Sequence, residues 1–214
     1  MPNYRLADGV SYGLVDGEPI FLDLEADLYF SVDPSLLEDL DRLRRSDGTL
    51  PEREARRLLD SGLVREAGRC EPIGPAPAFI PDNSLFDRPA MRASGKELAE
   101  VAFLLARARL SIRWTGLAGM AGATLPSTEP AEQDRLRAMA SRFEAARRLV
   151  PLDRHCLSDS LALLQYLRRR SLSASLLFGV KRHPFAAHCW LQDDQMVLND
   201  DAETVRGFTP VLVL

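Results

Sequence analysis

Hydrophobic and polar residues alternate with a period of two near the N-terminus of the chain, and this pattern predicts short β-strands. Three such strands are predicted: Val10–Val15, Glu18–Asp23 and Leu28–Val32. The first two flank Asp16-Gly17, a pair typical of two-residue hairpin turns. Leucines then recur at helical spacing from Leu36 to Leu43, and a second helix is predicted from Pro51 to a stop at Gly62. Strands followed by helices predict a small winged-helix-like module.

The pattern changes to long amphipathic helices after residue 93 and returns to strands after residue 170. Helices are predicted from Ser94, over Ala131–Leu149 and from Cys156, with a loop rich in Gly and Pro over Thr115–Pro130. The strands predicted after them are Ser173–Val180, Phe185–Gln192, Met196–Asn199 and Thr209–Leu214. This part of the chain is therefore predicted to be an α+β domain, with helices first and an antiparallel sheet last.

Proline separates the two patterns. Five prolines fall between Glu71 and Met91, where neither a helix interior nor a central strand would accept them. We therefore predict an N-terminal domain over residues 1–69, a linker laid along the surface over residues 70–93, and a C-terminal domain over residues 94–214.

Composition and charge narrow the possible functions. Of 214 residues, 46% are hydrophobic, enough for a substantial core. No apolar run approaches the length of a membrane span, and the N-terminus lacks the order of a signal peptide, so a cytoplasmic protein is expected. The first 69 residues carry 15 acidic and 9 basic side chains, and the rest carry 16 acidic and 18 basic. No basic stripe with interleaved aromatic residues is present, so nucleic acid is not expected as a partner.

The three cysteines are Cys70, Cys156 and Cys189, an odd number. We therefore expect free thiols and not a disulfide framework. The cysteines and histidines also lack the spacing of metal ligands, so no metal site is expected.

Cys156, His188 and Asp200 follow one another in an order that suits nucleophilic catalysis. Cys156 stands at the predicted start of a helix, where unpaired backbone N–H groups and the helix dipole favour a thiolate. His188 falls in one predicted strand, and Asp200 ends the next. This order predicts a Cys-His-Asp triad, in which the carboxylate orients the imidazole and stabilises the imidazolium. The oxyanion hole would use the N–H of Cys156.

Strand alternation separates the neighbours of these residues. Cys189 should point away from His188, while Trp190 should share the face of His188, in the core or on a pocket wall. Asp201 is the alternative to Asp200 as the third member. Taken singly, each triad candidate also has an ordinary interpretation as a core, strand or turn residue.

Two segments resemble the signature of the lasso-peptide biosynthesis B proteins, a branch of the transglutaminase-like cysteine peptidases: HCLSDSLALLQYLRRRSLSASLLFGV and HPFAAHCWLQDDQMVLND. The pieces arrive in the order of that family, and the match spans about residues 94–214. The resemblance implies a transglutaminase-like, papain-like fold with Cys156 as nucleophile, His188 as base and Asp200 as third member. Cys189 departs from the family pattern, which has a small residue such as alanine there.

Residues 1–69 are similar, more weakly, to the PqqD-like peptide-recognition elements that many B proteins carry at their N-terminus. The similarity implies that the leader of a precursor peptide adds as a strand to Leu28–Val32 and lies against a helix at about Arg53–Leu59. The candidate substrate-binding residues are Leu28, Tyr29, Phe30, Ser31, Val32, Arg53, Arg56, Leu59 and, in the C-terminal domain, Trp190.

The resemblance implies a peptidase that cleaves a ribosomally made precursor at its leader–core junction. An asparagine-synthetase-like cyclase would then close the macrolactam. No bound cofactor is expected, because the sequence has no phosphate-binding Gly-rich loop. The resemblance suggests that activity depends on this ATP-using partner or directly on ATP. Two other functions fit the same residues: acyl transfer to an amine, as in transglutaminases or arylamine N-acetyltransferases, and non-catalytic delivery of the precursor.

Overall fold

The computed structural model describes residues 1–76, 79–87, 91–115 and 130–214. The contacts divide the chain into two compact units, Met1–Pro77 and Ala78–Leu214. In the described residues the chain forms six α-helices and three β-sheets.

The N-terminal unit combines two small sheets with two helices. Its elements are β1 (Asn3–Leu6), β2 (Val10–Val15), β3 (Glu18–Asp23), β4 (Leu28–Phe30), α1 (Pro34–Arg45), α2 (Glu52–Asp60) and β5 (Val64–Ala67). Strands β2, β3 and β4 form an antiparallel meander in that order, and β1 pairs with β5. The sequence pattern did not predict β1 and β5, which flank the other elements of the unit in sequence. The winged-helix-like description stays a prediction.

Local sequence explains where these elements begin and end. Asp16 and Gly17 both have positive φ, as the two central residues of this hairpin turn require. The carboxylate of Asp33 accepts hydrogen bonds from the N–H groups of Ser35 and Leu36 and so caps α1, with Pro34 at its first position. These signals account for the close agreement between predicted and observed bounds in this region.

The core of the N-terminal unit is formed by all its elements. Its buried residues are Tyr4, Tyr12, Phe21, Leu40, Leu43, Leu50, Ala55, Leu58, Leu63, Val64 and Ile73. Phe21 packs between two further rings, with centroids 5.2 Å from Tyr12 and 5.3 Å from Phe30. These rings tie β4 to the rest of the meander.

The C-terminal unit packs helices against a five-stranded sheet. Its elements are β6 (Asn83–Ser84), a short 3-10 helix (Leu85–Asp87), α3 (Gly95–Thr115), α4 (Pro130–Arg147), α5 (Cys156–Arg168), β7 (Ser175–Lys181), β8 (Ala186–Gln192), β9 (Met196–Val197), α6 (Ala202–Arg206) and β10 (Thr209–Val213). The strand order is β10-β7-β8-β9-β6, and α5 packs on both α3 and β8. The apolar side chains of α5 are buried along nearly its whole length.

Two expectations about this unit are corrected. The sheet is not wholly antiparallel, because β6 pairs with β9 in parallel. The third predicted strand stops at Val197, since the side chain of Asn199 takes the N–H of Leu191 at 2.7 Å in place of a further strand pairing. The short helix α6 follows and was not predicted.

The proline-rich segment contributes to both units. Ile73 is buried in the core of the N-terminal unit, and the Ala76 N–H donates to the Tyr12 carbonyl on β2 at 2.7 Å. Asn83 and Ser84 form β6 of the C-terminal sheet. The segment is thus not confined to the surface. The loop predicted over residues 115–130 lies, apart from its end residues, outside the described residues.

No helix in the described ranges is both long enough and apolar enough to cross a membrane.

Candidate active site

Helix α5 begins at Cys156 and has no side-chain cap. His155 precedes it in an extended conformation and makes no capping hydrogen bond with its side chain. The first-turn N–H groups of the helix therefore point out of its end without intrahelical acceptors, which favours an anion there. Cys156 is exposed to solvent. A thiolate at this position is both stabilised and accessible.

A buried arginine holds the segment that leads into Cys156. Arg147, the last residue of α4, donates from Nε to the carboxylate of Asp159 on α5 at 2.9 Å. It also donates to the carbonyls of Leu152 and Asp153, both at 3.0 Å. Because both side chains of the ion pair are almost fully buried, this contact fixes the approach to α5 from inside the protein.

His188 lies on β8 between two aromatic rings. Its centroid is 6.0 Å from that of Trp190 and 5.1 Å from that of Phe208. Gly179 is its partner across β7, and a Cβ at Gly179 would come within 2.9 Å of the Trp190 ring. Glycine at this position therefore gives Trp190 the space from which it supports the imidazole.

The structure distinguishes between the two aspartates that follow β9. His188 Nε2 lies 2.6 Å from Oδ2 of Asp200. The carbonyl of Asp200 accepts a hydrogen bond from the Ser84 hydroxyl at 2.6 Å. Asp201 instead caps α6, where its carboxylate accepts from the Glu203 N–H at 2.8 Å. Asp200 is thus the aspartate that contacts the histidine, although it lies in a turn and not at the end of a strand as expected.

The turn that carries Asp200 is itself held by buried polar contacts. Asn199 donates from Nδ2 to the Ser160 hydroxyl at 2.8 Å, in addition to its bond with Leu191. Ser160 in turn donates to the Cys189 carbonyl at 3.3 Å. Ser160 lies one helical turn after Cys156, so these contacts link α5, β8 and the turn around the site.

Cys156 and His188 form a charged pair. A hydrogen bond from the Cys189 thiol and the hydrogen bond and charge of His188 lower the pKa of Cys156 to about 4, although partial removal of the sulfur from water opposes them. Burial would lower the pKa of His188, but its hydrogen bonds to Asp200 and Cys156 and their charges raise it to about 9. Since Nε2 faces Asp200, Nδ1 is left for the sulfur. Near neutral pH the pair is therefore a thiolate and an imidazolium.

Cys189 lies closer to the chemistry than strand alternation suggested. Its sulfur lies 4.0 Å from the hydroxyl of Ser160 on α5, and the residue is only 3% exposed. Yet hydrogen bonding by its thiol and by its backbone N–H lowers the pKa of Cys156. β9 pairs with β8 only at Gln192, which leaves the main chain near Cys189 open to the start of α5. A position facing away from His188 therefore does not keep Cys189 away from the nucleophile.

A cavity of about 330 Å³ lies at the start of α5. Its lining is formed by Arg109, Ile112, His155, Leu157 and Ser158. Three of these residues, His155, Leu157 and Ser158, flank Cys156 in sequence. Arg109 also donates to the carbonyl of Asp153 and thereby helps to hold the segment before α5.

The predicted leader-binding residues of the N-terminal unit lie on two elements. Leu28, Tyr29 and Phe30 form β4, which is an edge strand of the meander, and Ser31 and Val32 follow directly after it. Arg53, Arg56 and Leu59 belong to α2. The side chains of Phe30, Val32 and Leu59 pack against the same core, whereas Leu28 is 54% exposed.

Trp190, the remaining substrate-binding candidate, lies in the interior of the C-terminal unit. It is fully buried, its indole N–H donates to Gln192 at 2.9 Å, and it packs with Leu177, Val197 and Val205. It therefore contacts His188 from the interior and does not line an open pocket.

Sequence reasoning missed Arg147, Asn199, Ser160 and Ser84. One signal was available for the first, since Asp159 is a charged residue within a helix of leucines and needs a buried partner. The others are ordinary polar residues whose contacts depend on the tertiary fold. Within the described ranges, no cluster of three or more His, Cys, Asp or Glu side chains could hold a metal ion.

Comparison with protein families finds a match to the transglutaminase-like superfamily over residues 99–213. Because this region is more than half of the chain, the protein belongs to that superfamily. Its members are typically Cys-His-Asp enzymes, either proteases or acyltransferases. None of the curated proteins and none of the solved structures compared with the chain matches it.

Proposed function

We propose that this protein is a cysteine peptidase that binds the leader of a ribosomally made lasso-peptide precursor and cleaves it at the leader–core junction. The observation that carries the proposal is the contact series from Cys156 through His188 to Asp200, with the sulfur exposed and ionised. A nucleophile, a base and an orienting carboxylate in this order are what acyl transfer from a peptide bond requires.

The chemistry follows from the charges of the pair. The Cys156 thiolate attacks the carbonyl carbon of the scissile bond, and the C=O electrons move to oxygen. The N–H groups at the start of α5 stabilise this oxyanion. His188 then gives its proton to the leaving amine, which becomes the N-terminus of the core peptide. Water then attacks the thioester while His188 takes its proton; the C–S bond breaks, the leader leaves as a carboxylate, and the thiolate and imidazolium are restored.

Asp200 keeps the imidazole in the orientation that this proton transfer needs. Its carboxylate accepts from Nε2 and stabilises the imidazolium that the thiolate requires as its partner. The cavity of about 330 Å³ at the start of α5 would hold a substrate side chain, between the apolar walls of Ile112 and Leu157.

Leader recognition is proposed for β4. An edge strand offers backbone N–H and C=O groups to an extended peptide, which gains affinity from main-chain hydrogen bonds. The exposed arginines of α2, Arg53 and Arg56, would contact acidic groups of the leader. The opposite edge, β2, already receives a hydrogen bond from the Ala76 N–H, so β4 is the better candidate.

The protein is proposed to act in the cytoplasm with an asparagine-synthetase-like cyclase as its partner. Its activity would depend on ATP either indirectly, through that partner, or directly. The protein itself is proposed to bind neither a cofactor nor nucleic acid.

The products of one reaction test the proposal. A synthetic precursor, from the short reading frame that the pathway requires beside this gene, is incubated with the protein, with and without the cyclase and ATP, and analysed by mass spectrometry. A leader with a free C-terminal carboxylate is expected. A leader amide in the presence of an added primary amine would favour an acyltransferase, and an intact precursor in every mixture would leave delivery as the better proposal. Cys156→Ser is the matched control.

A further inference from the structure

Two of the three free thiols of the protein meet at the start of α5. Cys189 Sγ lies 4.0 Å from the hydroxyl of Ser160, which stands one helical turn after Cys156 on the same helix. Hydrogen bonding between the two thiols lowers the pKa of Cys156 and raises that of Cys189, as their closeness requires. Ser160 is anchored in turn by Asn199, so the position of Cys189 against α5 is set by buried contacts.

The two sulfurs differ in exposure and charge. Cys156 is exposed and ionised, and oxidants react with accessible thiolates. Cys189 is buried, and its hydrogen bond to Cys156, its burial and the negative charge of Cys156 together raise its pKa well above the usual value for a thiol. One sulfur is therefore suited to react first with a small oxidant, and the other is protected from it.

We infer that Cys156 and Cys189 form a redox modification site, which takes a peroxide as its oxidant and closes to an intramolecular disulfide. In the first step the Cys156 sulfur attacks one peroxide oxygen. An S–O bond forms, the O–O bond breaks and hydroxide leaves, so the sulfur is oxidised to a sulfenic acid and the peroxide is reduced. In the second step the Cys189 sulfur attacks the Cys156 sulfur. The S–S bond forms, the S–O bond breaks, and hydroxide leaves with the Cys189 proton as water.

The first step prepares the second. A neutral sulfenic acid no longer carries the negative charge that keeps the proton on Cys189, so its thiol ionises more readily once Cys156 has reacted. The disulfide removes the nucleophile from the proposed active site and protects it from further oxidation, and a dithiol restores both thiols by exchange. The effect on activity rests on the proposed function, whereas the disulfide does not.

The first experiment needs no substrate. The full-length protein is treated with hydrogen peroxide, quenched in acid, unfolded, alkylated and digested. Mass spectrometry should find the Cys156 and Cys189 peptides joined by a disulfide and the Cys70 peptide alkylated, with two of the three free thiols lost. A Cys70→Ser variant should give the same disulfide. Cys156 recovered as sulfinic acid, with Cys189 still a free thiol, would overturn the inference.

The second experiment uses Cys189→Ala, which removes the second thiol of the pair. In this variant peroxide should convert Cys156 to its sulfinic acid, which dithiothreitol does not reduce. Cleavage activity, normalised to each untreated protein, should therefore recover almost fully in the wild type and remain lost in the variant. Equal recovery in both proteins would contradict the inference. A disulfide in a wild-type protein that cleaves no precursor would support the redox site and count against the proposed function.

Discussion

The two units of the protein differ in where they place charge. In the N-terminal unit most ion pairs are exposed, as in the contact of 2.7 Å between Arg44 and Asp41. In the C-terminal unit the pair of Arg147 and Asp159 is buried on both sides. Exposed pairs contribute at most about 1 kcal/mol, whereas a buried pair leaves an uncompensated charge when one partner is removed.

This difference in the burial of ion pairs agrees with the function proposed for each unit. Around Cys156, buried polar contacts fix the backbone on three sides, because transfer of a proton between sulfur and imidazole tolerates little displacement. The N-terminal unit relies on an aromatic core of Tyr12, Phe21 and Phe30 and leaves β4 as a sheet edge. A strand edge recognises any extended peptide backbone, so specificity there depends on side-chain contacts and not on a rigid charged network.

The largest effect is expected for Cys156→Ala. Cleavage of the precursor should fall by about 10⁴-fold or more, since no other group can form the acyl-enzyme. Leader affinity should stay within about twofold, because the proposed binding edge lies in the other unit. Mass spectrometry measures the turnover, and fluorescence anisotropy measures the leader affinity. If the variant loses leader binding as well, recognition is not separate from catalysis.

Arg147→Met should destabilise the C-terminal unit by about 3–5 kcal/mol, because it leaves Asp159 charged and buried without its partner. The matched control is Arg148→Met, at the neighbouring exposed position, which should change stability by less than about 1 kcal/mol. Urea unfolding followed by circular dichroism measures both. Similar losses in the two variants would show that burial of the pair is not the cause.

Asp200→Asn should lower turnover by about 100-fold or more and leave the fold intact, because the amide no longer stabilises the imidazolium. Asp201→Asn is the matched control. Asparagine caps a helix as well as aspartate, so α6 should persist and turnover should be almost unchanged. The reverse result would mean that Asp201 serves His188 in the working enzyme.

Alkylation of Cys156 by iodoacetamide should depend little on pH between about 5 and 8, since its pKa is lowered to about 4. An unperturbed thiol loses about tenfold in rate for each pH unit below its pKa of about 8.5. Peptide mapping of alkylated protein follows Cys156, with Cys70 as internal reference. Slower labelling of Cys156 than of Cys70 at pH 6 would contradict the thiolate.

The pH profile of turnover should rise as the thiolate forms above about pH 4 and fall as the imidazolium is lost above about pH 9.

The smallest effect is expected for Leu28→Asp on β4. A charge at this edge should weaken leader binding by about tenfold, or 1.4 kcal/mol, without loss of the core. Leu14→Asp on β2 is the matched control, because the two leucines are 54% and 49% exposed on opposite edges of one meander. Its leader affinity should stay within about twofold of the wild type. Equal losses, measured by fluorescence anisotropy, would move the binding edge away from β4.

Signals within a few residues of one another predicted most elements well. The hairpin of β2 and β3 follows from Asp16-Gly17, and α5 starts at Cys156 as expected. The order of Cys156, His188 and Asp200 along the chain also made them triad candidates, and the resemblance to a known family favoured that interpretation over the ordinary ones. Each of these inferences depends on turn chemistry, helix termini or the alternation of a strand, which act over short distances.

Long-range contacts decided the rest. β1 pairs with β5 across sixty residues of chain, and β6 joins a sheet whose other strands lie more than ninety residues later, so no local pattern could predict either. Asp200 and Asp201 are equivalent in sequence, and only the turn held by Asn199 directs the first to His188 and the second to α6. Cys189 shows the same dependence on tertiary contacts. Strand alternation predicted the direction of its side chain, but only the packing of α5 brings its thiol close to Cys156. Local sequence therefore determined which groups were available, and tertiary packing determined which of them meet.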